Sequence, residues 1–206
     1  MRITSAPSQL GFGLLLRCAL LLMAGALSAC GSSAPSTIGV ARSTRQSGIN
    51  CAPFARELSG VALYGDANDW WSAASGRYRR GKSPEIGAVL VLPRQDRLPS
   101  GHVGVVSAVL AARQIHVIQA NWEKDMVDQD QLVVDVSERN DWTAIRVWYP
   151  PVNQMGSHTY RAYGFIAPPQ PVKHEELVRT TPAATRFAMD TTGRPPPRAR
   201  RYAMAN

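Results

Sequence analysis

Two apolar periods follow one another along the middle of the chain. In "NCAPFARELSGVAL", Phe54, Leu58 and Val61 recur at helical spacing. Asn50 stands where an N-cap is wanted, and Pro53 falls in the first turn, where backbone N–H groups have no helical partner. The pattern predicts a helix that begins at or beside Cys51. A short second helix is expected in "YGDANDWWSAASGRYRRG", capped by Asp66 or Asn68 and ending near Gly76. The period then changes. Strands are expected from about Ile86 to Leu92, in "SGHVGVVSAVL" and in "QIHVIQANW", the last two joined as a hairpin by Ala111 to Arg113. "QLVVDVS" and "AIRVWYP" supply a fourth and a fifth. Helices first and antiparallel strands after is an α+β layout, with N-terminal helices packed on a sheet of five to six strands.

The ends of the chain have a different character. Residues 1–29 open with Arg2, run apolar from Leu10 to Leu27 with Arg17 as the one interruption, and close on "LSAC". That is a charged region, an apolar region and a small-residue cleavage site, as in a signal peptide. "LSAC" resembles the bacterial lipobox. The resemblance implies that Cys30 is lipidated and anchors the chain to a membrane, and Gly31 after it lacks the acidic inner-membrane retention signal. Each buried methylene of such an anchor contributes about 0.8 kcal/mol. Residues 30–47, rich in Ser, Thr and Gly, read as a tether. Residues 169–206 are rich in Arg, Pro and Thr, show no sustained apolar period, and read as a disordered basic tail. Residues 48–168 are left as one domain.

Charge changes the picture little. The chain carries +8, of which Arg2 and Arg17 belong to the leader and much of the remaining excess to the tail. The tail reads as a solubilising extension, with contact to an anionic envelope surface as the alternative. No basic face interleaved with aromatics appears, so nucleic acid is not an expected partner. No His, Cys or Asp cluster has ligand spacing, so neither a metal nor another cofactor is expected.

Cysteine usage is more telling. Cys18 leaves with the leader and Cys30 is consumed by lipid, so Cys51 has no partner for a disulfide. A helix N-terminus favours a thiolate, which makes Cys51 a candidate nucleophile; a small buried hydrophobe is the alternative. A base must come within about 3 Å of it. His102 begins the second strand between Gly101 and Gly104, which leave room for another element to approach. On the third strand, Val117, Gln119 and Asn121 alternate with His116, Ile118 and Ala120. Gln119 and Asn121 are therefore candidates to orient a histidine on the neighbouring strand.

The helix-borne Cys51, then "PEIGAVLVL", "GHVGVV", "VIQANW" and the late "YRAYGFIAP", in that order, resemble the CHAP family of cysteine, histidine-dependent amidohydrolases and peptidases, of the papain-like fold and the NlpC-type superfamily. The resemblance runs from about Gly48 to Pro168. It implies Cys51 as nucleophile and His102 as general base. The family's third strand ends in Glu-x-Asn; here Asn121 matches the Asn, and Gln119 replaces the Glu. The neutral third member is thus Gln119 or Asn121. The implied substrate is the peptide part of peptidoglycan, cleaved at an amide bond through a thioester. The implied location is the cell envelope, at the periplasmic face of the outer membrane. Trp70 and Trp122 are candidates to line the substrate groove, and Trp71 reads as core. A peptidoglycan-binding protein without catalysis, and an amidase acting on another small amide, are the competing readings.

Overall fold

The computed structural model describes residues 39–40 and 42–187, with side chains as far as Thr181. The expected leader, Cys30, most of the expected tether and the expected tail beyond Phe187 lie outside the described residues.

The first helix, α1 (Cys51–Ser59), begins where its apolar spacing places it. Asn50 is in extended conformation and its Oδ1 accepts the Ala52 N–H at 3.1 Å, satisfying one of the donors a helix start leaves unpaired. Gly60 ends the helix at φ 73°, a left-handed turn that favours glycine. The buried face is Ala52, Phe54, Ala55, Leu58 and Ser59. Burying Phe54 or Leu58 contributes about 1.5–3 kcal/mol each. The short α2 (Trp70–Ala73) follows a single 3-10 turn at Ala67–Asp69.

The strands are β1 (Arg42–Arg45), β2 (Arg80–Gly81), β3 (Val89–Leu92), β4 (His102–Ala111), β5 (Gln114–Ala120), β6 (Met126–Asp135), β7 (Ala144–Tyr149), β8 (Gln154–Met155), β9 (Tyr160–Arg161) and β10 (Gly164–Ile166). Eight run in the order β2-β10-β3-β4-β5-β6-β7-β8, while β1 adds to β6 and β9 to β7, and all pairs are antiparallel. The five expected strands are β3 to β7, and the remainder are strands of two to four residues. The chain is α+β, with its helices and a large antiparallel sheet.

Period-two geometry divides the core. Val89, Val91, Val103, Val105, Ile118 and Ala120 belong to one cluster with Phe54, Leu58 and Trp70 of the helices. Leu90, Leu92, Val106 and Val117 belong to a second, with Val133, Trp142, Ile145, Val147 and Phe165. Because β3 and the start of β4 are buried on both faces, "VLVL" and "HVGVVS" read as unbroken apolar runs rather than as alternations.

Two expectations about the ends need correcting. Part of the expected tether, Arg42–Arg45, is strand β1, in register with Met126–Gln129 of β6. The expected disordered tail holds a helix, α3 (His174–Phe187), packed against α1 and β4. Leu177 is fully buried, Thr181 nearly so, and Val178 packs on the same cluster. Three residues are enough to dock this face, too few to stand out among Glu, Arg and Thr as an apolar period.

Candidate functional site

Cys51 occupies the first position of α1, packs against the helix-side core and is partly exposed. Helix α1 packs on β4, and the backbone N–H of Val103, the residue after His102, favours the ionised form of the Cys51 sulfur. Burial pushes the thiol above its ordinary range, while backbone N–H groups of Val103, Ala52 and Cys51 itself draw it down, and burial is the larger effect. The helix terminus alone does not make a resting thiolate here.

The glycines flanking His102 have distinct uses. Gly101 is at φ 73°, and a Cβ there would stand 2.6 Å from the Asn68 nitrogen and 2.7 Å from the Leu92 oxygen. Asn68 in turn donates its N–H to Ser100 C=O at 2.9 Å, so the turn before α2 is tied to the loop that delivers His102. At Gly104 a Cβ would stand 3.0 Å from Gln119 Oε1: the Gln119 side chain crosses the bare backbone of β4 to reach the histidine.

His102 is only 3 % exposed, and its Nε2 is 2.9 Å from Gln119 Oε1. Burial lowers its imidazolium to about 4, despite the support of Gln119. With the thiol pushed up and the imidazole pushed down, both groups rest neutral near pH 7. Gln119 Nε2 donates to Gln131 Oε1 at 2.6 Å, and Gln131 Nε2 donates to Trp148 C=O at 2.7 Å. Of the two amides the sequence leaves open, Gln119 is the one bonded to His102. Asn121 has left the strand at φ 59°, and its Oδ1 accepts the Asp125 N–H at 3.1 Å, so its side chain closes a turn.

The aromatic candidates separate as well. The Trp122 ring meets His102 edge-on at 5.0 Å and Tyr160 at 4.9 Å, and Tyr160 meets His158 at 4.5 Å. An aromatic row therefore leads away from His102. Trp70 cannot line a groove: it is fully buried in the helix-side core. Trp71, expected in the core, packs against the same cluster at its edge, half-buried, and stacks on Tyr163 at 5.8 Å beneath the Arg80 guanidinium. Neighbours on a helix point about 100° apart, so Trp70 is enclosed while Trp71 covers the edge of the same cluster.

Sequence reasoning missed Gln131, Tyr160 and His158. Period-two alternation alone does not find Gln131, because β6 carries an extra residue against β5. Val117 is opposite Gln131 while Gln119 is opposite Asp128, with Asp130 at φ 53° between them.

The depressed His102 makes stability depend on pH. In the unfolded chain this imidazole titrates near 6.5, and in the folded protein near 4. Between those values the unfolded state binds more protons. The stability conferred by neutral His102 is thus fully present above about 6.5 and is lost as pH falls towards 4. A loss of roughly 2–3 kcal/mol between pH 7 and 4.5 is expected from denaturant unfolding, on the scale of 1.36 kcal/mol per pKa unit. His102→Ala should lack this component while keeping the acid response of the carboxylates.

Residues 41–121 match the family model of the CHAP domain. The match spans β1 to the end of β5 and takes in Cys51, His102, Gln119 and Asn121. No curated protein matches the chain. The α+β architecture, helices with a large antiparallel sheet, is consistent with a papain-like CHAP fold.

Proposed function

We propose that this chain is a cell-envelope cysteine amidohydrolase or endopeptidase that cleaves amide bonds in the peptide part of peptidoglycan. CHAP domains are in general amidases and peptidases of that polymer, and the match at residues 41–121 supports a hydrolase of this kind. The observation that carries the finer reading is the meeting of two elements. The helix that begins at Cys51 packs on β4, where the Val103 backbone favours the ionised sulfur and the adjacent His102 is held by Gln119.

In this mechanism the resting pair is thiol and neutral imidazole. Nδ1 of His102 takes the proton from Sγ as the sulfur attacks the amide carbonyl carbon. The tetrahedral oxyanion is met by the Cys51 backbone N–H at the head of α1; Asn50 takes the Ala52 and Phe54 N–H groups, and Pro53 has none. The imidazolium returns its proton to the amide nitrogen, the C–N bond breaks, and a thioester remains. His102 then takes a proton from water, hydroxide adds to the thioester carbon, and the C–S bond breaks with the proton restored to sulfur. The row Trp122, Tyr160 and His158 offers faces on which a glycopeptide strand can lie. Digestion of purified muropeptides, with products identified by mass spectrometry, tests the reaction and names the bond. Peptidoglycan binding without any product would instead support the non-catalytic reading.

Anchoring at the membrane through Cys30 belongs to the same proposal and is supported by "LSAC". Cys30→Ser is expected to move the protein from the membrane fraction to the soluble envelope fraction. A variant that still sediments with membranes would place the anchor in the leader or the basic tail.

A further inference from the structure

A main-chain carbonyl fixes the direction of a row of buried side-chain amides. Trp148 C=O can only accept. Gln131 therefore turns Nε2 towards it, at 2.7 Å, and presents Oε1 to Gln119. That oxygen takes the Gln119 Nε2–H at 2.6 Å, which leaves Gln119 with Oε1 alone to face His102 Nε2 at 2.9 Å. An acceptor opposite a ring nitrogen requires a proton on that nitrogen. The neutral imidazole is thus protonated on Nε2, and the lone pair is on Nδ1. Reversing the row would set Gln131 Oε1 against Trp148 C=O, two acceptors with no proton between them. Gln131 is fully buried and Gln119 4 % exposed, so bulk water does not substitute for the missing donor.

We infer that Gln131 is a positioning residue: acting through Gln119 and anchored on Trp148 C=O, it sets the tautomer of His102 and makes Nδ1 the basic nitrogen. The inference rests on the reading of His102 as the general base. The β6 bulge is what brings Gln131 to Gln119, since Asp128 holds the position directly opposite. Asp128 itself turns to the Ser43 hydroxyl on β1.

The test uses the full chain with histidine labelled by nitrogen-15, the His102 resonances being assigned by their absence in His102→Ala. At pH 7 the wild type should give a protonated Nε2 and a bare Nδ1. Gln131→Met removes the amide at similar volume. It should mix the tautomers and lower kcat about tenfold or more, with KM within about twofold, as a lost positioning interaction does. Gln131→Glu is the conservative variant. While neutral, its new carboxyl donates to Trp148 C=O and accepts from Gln119, so the tautomer and kcat are kept. Once ionised it has no proton for Trp148, so kcat should gain an alkaline fall that the wild type lacks. If Gln131→Met does not fold, that pH dependence decides. A wild-type ring protonated on Nδ1, or a Gln131→Met variant with unchanged tautomer and kcat, overturns the inference. A protein that cleaves nothing, yet whose Nε2–H ring is scrambled by Gln131→Met, upholds the amide row and overturns the hydrolase reading instead.

Discussion

Cys51→Ala and His102→Ala are each expected to lower the turnover of stem-peptide substrates by about 10³-fold or more, because each removes an atom that forms or breaks a bond. Neither loss should come from unfolding. Cys51 is only partly buried, so its alanine variant leaves little cavity. His102 is buried, and His102→Ala must be compared with wild type by thermal unfolding before its activity is read. The pH dependence separates two versions of the site. A standing thiolate–imidazolium pair would react with iodoacetamide at mildly acidic pH. Here burial raises the thiol and lowers the imidazolium to about 4, so the pair rests neutral and labelling of Cys51 should climb towards alkaline pH. The substrate reaction needs a neutral His102. It should therefore hold across neutral pH and fall only as pH drops through about 4. Fast labelling near pH 5 would instead mean that Cys51 ionises in spite of its burial. Wild-type turnover in either variant would remove Cys51 and His102 from the reaction.

What the sequence makes legible follows from how local each feature is. The start of α1 at Cys51 needs only Asn50, Pro53 and the spacing of Phe54 and Leu58, all within one segment. The β4–β5 hairpin needs two apolar runs and a short loop, and β4 ends at Ala111 while β5 starts at Gln114. The closeness of His102 and Gln119 follows from the same hairpin once Gly104 is seen as bare backbone under a side chain. Features that depend on distant partners stay hidden. Strand β1 has four exposed residues and owes its form to β6. Helix α3 docks through Leu177, Val178 and Thr181, inside a segment whose composition resembles a tail. Trp70 and Trp71 are chemically alike, and only the direction of a one-turn helix decides which is fully enclosed and which covers the core's edge. Gln131 sits in "DQDQLVVD", where alternation is blurred by polar residues on both faces and then reset by the bulge at Asp130.

Gln119→Ala is expected to cost about tenfold to a hundredfold in kcat with little change in KM, since it frees the ring of His102 without touching substrate. Asn121→Ala should stay within about threefold of wild-type kcat. Its cost falls on stability, because alanine at φ 59° is strained and the bond from Oδ1 to the Asp125 N–H is lost. Gln119→Glu is the more searching variant. A carboxylate beside His102 favours the imidazolium and raises its pKa from about 4. The base is useful only when neutral, so the acid limb of kcat/KM should move up, by about one unit or more. The same carboxylate turns an acceptor towards Gln131 Oε1, which now holds the Gln119 N–H at 2.6 Å. Gln131 must then reverse and oppose Trp148 C=O, or Gln131 Oε1 loses its donor. Either outcome lowers the melting temperature at neutral pH, where the new carboxyl is ionised, and spares it at low pH, where the carboxyl can donate. An acid limb that stays near 4 in Gln119→Glu would mean that this side chain does not touch the base in solution. A damaging Asn121→Ala beside a silent Gln119→Ala would transfer the orienting role to Asn121, and with it the explanation for the bare backbone at Gly104.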